Sequence, residues 1–258
     1  MRGSMTSLVA FGCSHTDAAK NLPTPWVSRL GRLTGWDVTN YGSSGGSNEF
    51  IFRNAIKYLA QGNTPDYLIV QWTELKRYLM PITDGMIQSW SNTDLNLGDD
   101  MWMSCKLPKQ NRHPKFFPEQ EMILIWTLCL QEFCEKHEID CRFVTYCDLG
   151  SIPDNPLWNH IDTSKFLHCN FENGWLNHCM WSFGHKEAII QLPTEKDAPL
   201  DRVLAAGHLN DVAIDYTAKC WYNYLIHNKQ YDIEEQDYIH TRKLSSLVFR
   251  YTGEEKHV

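Results

Sequence analysis

Residues Ser7–Asp17 read "SLVAFGCSHTD": a short apolar run, a glycine, and then a group of small and polar side chains. The apolar part suits one buried strand and is too short for an ordinary helix. A strand that stops at Gly12 and at once presents Cys13, Ser14, His15, Thr16 and Asp17 has two readings. Either it ends in a turn that caps the next helix, or it mounts a nucleophile on a rigid edge. The rest of the chain decides between them by what it places beside Ser14.

Strand-like and helix-like segments alternate after this first strand. Pro25–Leu33, "PWVSRLGRL", spaces its apolar residues as a helix does and has proline near its start, where a missing N–H costs little. Trp36–Tyr41 predicts a second strand, running into "NYGSSGGSN". Asn48–Ala60 predicts a helix, with Phe50, Ile51, Ala55, Ile56 and Leu59 on its apolar side. Pro65–Trp72, "PDYLIVQW", is a third strand, almost continuously apolar as a strand covered on both faces should be. This βαβαβ order predicts a parallel sheet in a three-layer α/β/α arrangement with right-handed crossovers. A helix at Glu119–His137, a strand at Asp140–Tyr146 and a helix at Asn210–Ile226 extend the pattern. Residues 80–117 and 148–200 break it and read as long loop insertions in one domain covering 1–226. The charged, aromatic stretch 227–258 reads as a C-terminal arm.

Composition narrows the function. With 43% hydrophobic residues the chain can bury a sizeable core, while a net charge of −7 with no basic run argues against nucleic acid as a partner. The longest apolar stretches fall short of the roughly 20 residues that span a bilayer, so no membrane partner is expected. Nine irregularly spaced cysteines and no signal-like N-terminus fit reduced thiols and a cytoplasmic setting. A nucleotide-binding flavodoxin-like reading fares worse: "GSSGGSN" is not a dinucleotide turn, and no phosphate loop is present.

In a parallel sheet the loops after the strands' carboxyl ends gather along one edge. Strand one delivers "GCSHTD" there, strand two "NYGSSGGSN", and strand three "QWTELKR"; far downstream, "GHLNDVA" sets His208 just before a helix. Acyl transfer needs this combination: a hydroxyl with an adjacent base, and N–H donors aimed at the developing oxyanion. Gly-x-Ser, Asn-x-Gly-x-x-Gly and a late Gly-His in this order resemble the SGNH (GDSL-like) hydrolase superfamily. The blocks are most similar to the SGNH-like proteins of bacteriophages.

That resemblance implies a flavodoxin-like fold and metal-free ester hydrolysis, with no cofactor. It assigns Ser14 as nucleophile and oxyanion donor, Gly45 as a second donor, and His208 as general base. The implied substrate is a small ester or an acylated glycan. For a phage-encoded chain, the setting is the host cytoplasm or the virion, with other phage or virion proteins as partners. A non-catalytic binding or virion structural protein built on the same fold is the alternative.

The chain departs from the pattern in two places. The third block lacks its asparagine, since Gln71-Trp72-Thr73-Glu74 stands there, so Asn48 or Thr73 is left to supply a side-chain donor. Three residues before His208 stands Ala205 where an acid is usual; Asp201 and Asp211 are nearby, and a backbone carbonyl would also serve.

Other residues carry plainer readings. Cys13 reads as a small packed residue. Arg53 and Arg77 read as solvated or ion-paired arginines, with substrate binding the sharper alternative for Arg77. His168-Cys169 and His178-Cys179, with His160 and His185 around them, lack zinc-ligand spacing, so no metal is expected. Trp102, Trp158, Trp175 and Trp181 read as loop anchors, with a sugar platform as the alternative.

Overall fold

The computed structural model describes residues 5–17, 23–75, 77–81, 102–106, 118–146, 155–168, 174–176, 178–179, 188–191 and 208–229. Four parallel strands form the central sheet: β1 (Ser7–Gly12), β2 (Asp37–Gly42), β3 (Tyr67–Trp72) and β6 (Asp140–Thr145). Their spatial order is β2-β1-β3-β6. Helices α1 (Trp26–Thr34), α2 (Asn48–Ala60), α3 (Pro118–Lys136) and α4 (Asp211–His227) complete the layers.

Period-two alternation divides the core. Leu8 and Ala10 of β1 pack with Ile69 and Val144 against Trp26, Val27 and Leu30 of α1 and Ala213, Ala218 and Trp221 of α4. Val9 and Phe11 face the opposite layer, with Val70 and Phe143, against Ile51, Ala55 and Leu59 of α2 and Ile123, Leu124 and Leu130 of α3. The three-layer α/β/α sheet expected from the strand pattern is therefore present.

Local chemistry sets the helix ends. Ser47 Oγ accepts from the Phe50 amide at 3.2 Å and opens α2. Asn210 Oδ1 does the same for α4, from the Ala213 amide at 3.1 Å. Gly35, left-handed at φ 71°, closes α1.

Only residues 80–81 and 102–106 of the stretch 80–117 are described. Strands β4 (Arg77–Pro81) and β5 (Trp102–Lys106) pair antiparallel there, from Arg77↔Lys106 to Pro81↔Trp102. Neither "RYLMP" nor "WMSCK" alternates apolar with polar, so mutual backbone pairing defines them where periodicity does not. The region 148–200 includes two 3₁₀ turns, Pro156–His160 and Thr163–Lys165. No helix among the described residues is long and apolar enough to cross a membrane.

The strand order carries a consequence for function. The chain leaves β1 for β2 on one side and returns to β3 on the other. The loops after β1 and β3 diverge at such a point, leaving a crevice at the carboxyl edge. Ser14 follows β1 directly at that edge.

Candidate active site

Residues 13–17 fold back over the ends of β1 and β2. The amides of Thr16 and Asp17 both donate to the Cys13 carbonyl, at 2.9 and 3.0 Å, with Ser14 as the turn's second residue. Glycine is required beneath it. A Cβ on Gly42 would lie 2.4 Å from the Asp17 nitrogen, closer than atoms in a folded protein approach.

A buried polar set holds the turn from below. The Thr16 hydroxyl donates to Gln71 Oε1, Asn40 Nδ2 donates to the Thr16 carbonyl, and Gln71 Nε2 reaches Cys13 Sγ at 3.5 Å. Thr16 and Gln71 are buried, so stranding either partner costs about 1–3 kcal/mol. Cys13 is buried, as its reading as a packed residue requires, and Cys134, Cys141, Cys179 and Cys220 are likewise buried free thiols.

The second loop is buckled to the first. Ser43 donates its amide to the Gly12 carbonyl at 2.9 Å. Asp17 Oδ2 accepts from the Ser44 amide at 2.9 Å and from its hydroxyl at 2.6 Å. Gly45, next in line, is exposed and left-handed at φ 78°, a conformation that favours glycine. A Cβ there would meet nothing within 4 Å, so the residue borders open space.

His208 arrives from the far end of the chain. An antiparallel bridge, Ile189↔Leu209, fixes its backbone: Ile190 donates to the His208 carbonyl at 2.8 Å, and Asn210 to the Ala188 carbonyl at 2.9 Å. The ring then lies with Nε2 2.8 Å from Ser14 Oγ. Two residues 194 positions apart thus sit within the reach required of a nucleophile and its base. The cleft above them is lined by Ser14, His15 and His208 together with Pro23, Pro25 and Ile214.

The remaining expected residues divide. Asn48, buried at the start of α2, accepts from the Thr73 amide at 2.7 Å and donates to the Thr73 carbonyl at 3.0 Å. Its amide pins the end of β3. Thr73 is fully buried, and its hydroxyl has no hydrogen-bond partner among the described residues. Asp211 turns to Arg29, which also holds Asp215 at 2.5 Å; the Asp211 carboxylate is 74% exposed. Asp201 lies outside the described residues, and Arg77 is described only by its backbone in β4. Arg53 pairs with Glu49 at 2.7 Å.

His168 and His178 come together under α4, ring centroids 5.5 Å apart, with His178 Nε2 3.0 Å from the Tyr216 hydroxyl. Burial, with His168 beside it, pushes His178 down to about 3. No group of three ligating side chains that could hold a metal ion occurs among the described residues. His185, Cys169 and Trp181 fall outside them. Trp175 is buried in the core, Trp158 is half-buried against the α2–α3 layer, and Trp102 is described by its backbone alone.

Sequence reasoning passed over three residues that build the site: Asp17, Gln71 and Tyr146. Asp17 had a local signal, the acid that ends "GCSHTD" at the sheet edge shared with a serine-rich loop. The others depend on sheet register, which no local pattern carries.

No protein-family model matches the chain, and no curated protein matches it. Solved structures do. An acetyl xylan esterase is 12% identical, with 85% of this chain and 100% of that chain covered at a TM-score of 0.42. A variant of an acetyl xylan esterase from Geobacillus stearothermophilus is 15% identical, covering 89% and 97%, at 0.42. A lipolytic protein of the G-D-S-L family from Veillonella parvula DSM 2008 is 11% identical, covering 87% and 99%, at 0.41.

Proposed function

We propose that the chain is a serine ester hydrolase that removes a short acyl group from a small or carbohydrate-linked ester. The 2.8 Å contact between His208 Nε2 and Ser14 Oγ carries this reading. For Nε2 to accept the serine proton, the imidazole must hold its own proton on Nδ1. Ser14 Oγ then bonds to the carbonyl carbon while its proton passes to Nε2, and the carbonyl oxygen takes the negative charge. The Ser14 and Gly45 amides are the donors assigned to that oxygen. With Asn48 spent on the Thr73 backbone and the Thr73 hydroxyl fully buried, the scheme rests on these two amides.

Collapse of the intermediate breaks the bond to the leaving oxygen, which collects the proton from His208. Water next attacks the acyl-serine, its proton goes to His208, and the free acid departs with Ser14 restored. Pro23 and Pro25, rigid side chains lining the cleft beside Ser14, favour a short acyl group. Asp211 stays outside this scheme because Arg29 holds it.

Aryl acetate turnover and fluorophosphonate labelling, followed by intact mass, test the reading. The expected result is one adduct on Ser14, with turnover falling at least ~10³-fold in both Ser14→Ala and His208→Ala. A folded wild-type protein showing neither turnover nor adduct would sink it and favour a binding role on the same fold.

A further inference from the structure

His15 has no part in the scheme above, yet its ring lies against the ring of the base. Its centroid is 3.6 Å from that of Tyr146, with the planes 22° apart, and 4.5 Å from that of His208, tilted by 35°. Tyr146 is a fixed support. Its amide donates to the Trp72 carbonyl at 2.8 Å, its carbonyl accepts from Leu176 at 3.0 Å, and its side chain is buried at the end of β6. The three rings form a column from the sheet edge to the base.

We propose that His15 is a positioning residue for His208: the Tyr146–His15–His208 column holds the imidazole with Nε2 facing Ser14. The inference rests on the serine-hydrolase reading and adds to it a residue beside the nucleophile in the chain. The physical need is specific. The torsion that turns an imidazole is soft and broad, so a hydrogen bond at the ring's edge, such as that with Ser14, resists rotation less well than packing against its face does. The His15 ring, packed at 4.5 Å and tilted by 35°, restrains that rotation, and a reacting pair displaced by about 1 Å can lose up to ~10²-fold in rate. The chain order favours the arrangement too. His15 follows Ser14 directly, so the support for the base moves with the nucleophile.

The test compares His15→Ala, His15→Leu and His15→Phe with the wild type in steady-state turnover of an aryl acetate, each variant checked by thermal melting. Loss of ring orientation, felt only in the transition state, should lower kcat and kcat/KM together by about tenfold or more in His15→Ala. His15→Phe restores a flat ring and should recover most of the loss. His15→Leu fills the same space without one and should not. If His15→Ala fails to fold, the Phe-against-Leu comparison still decides. Equal rates in those two variants, or a change in KM alone, would overturn the proposal while Ser14 labelling stayed intact. Absence of Ser14 labelling in the wild type overturns the hydrolase reading and this inference with it.

Discussion

Gly42 illustrates how single atoms shape the candidate site. A methyl group there would have to displace the backbone of Thr16 and Asp17, at 2.5 and 2.4 Å, and backbone does not yield as a flexible side-chain tip does. Gly42→Ala should therefore cost about 1–3 kcal/mol in urea unfolding and also pull Ser14 out of register with His208. Gly35→Ala is the control. Unlike Gly42 it has a left-handed φ, 71°, and its Cβ would point into open space. It should lose about 1–2 kcal/mol and keep the wild-type rate of Ser14 labelling. Equal labelling rates in both variants would show that the turn relaxes without consequence for the serine. Asn48 teaches a related lesson. Its place at the head of α2 suggested a donor for substrate, but buried amides bond to whatever backbone lies nearest, and here that is Thr73.

At the scale of elements, α1 and α4 act as one unit that carries the base. Trp26 and Trp221 stack at 5.4 Å, both buried, and Arg29 bridges to Asp211 and Asp215. Because His208 and the capping residue Asn210 lead directly into α4, any shift of that helix is felt at Nε2. Trp221→Ala should cost about 3–5 kcal/mol and slow turnover even where the protein remains folded. Unchanged kcat at temperatures below its melting point would uncouple the helix from the base. These elements were largely legible in the sequence. The helix over Asn48–Ala60 was bounded to the residue, and the other helices and the four strands of the parallel sheet to within two. They were legible because buried strands read as apolar runs and caps as Ser or Asn. Pairing was not legible. The bridge at Ile189↔Leu209, the β4–β5 pair and the stacking of Tyr146 on His15 all join residues with no shared local pattern. Asp211 was a natural guess for an acid because it lies three residues from His208, but helix geometry hands it to Arg29.

For the whole molecule, buried His178 and half-buried Asp140 make stability depend on acidity in a defined order. Burial, with His168 adding to it, holds His178 at about 3 against an ordinary 6.5. Its folded value is depressed, so above pH 6.5 its contribution is fully present. Below that the unfolded chain binds the proton first, and stability falls as pH drops toward 3. Asp140 enters later. Burial pushes its carboxyl upward, but hydrogen bonds and charge from Arg142 and Lys165 outweigh this and hold it below the usual 3.8. Its contribution is complete above that value and is lost only as pH falls further. Two windows follow. Between pH 6.5 and 4, unfolding free energy should decline with a slope to which His178 adds up to ~1.4 kcal/mol per pH unit. His178→Gln, neutral throughout and able to reach the Tyr216 hydroxyl, should flatten that part of the curve. Asp140→Asn should leave it unchanged and alter only the limb below about pH 4. Urea titrations at half-unit intervals would separate the two. A His178→Gln curve parallel to the wild type above pH 4 would mean that this histidine is protonated or solvated in the native state, contrary to its burial beside His168 and Trp175.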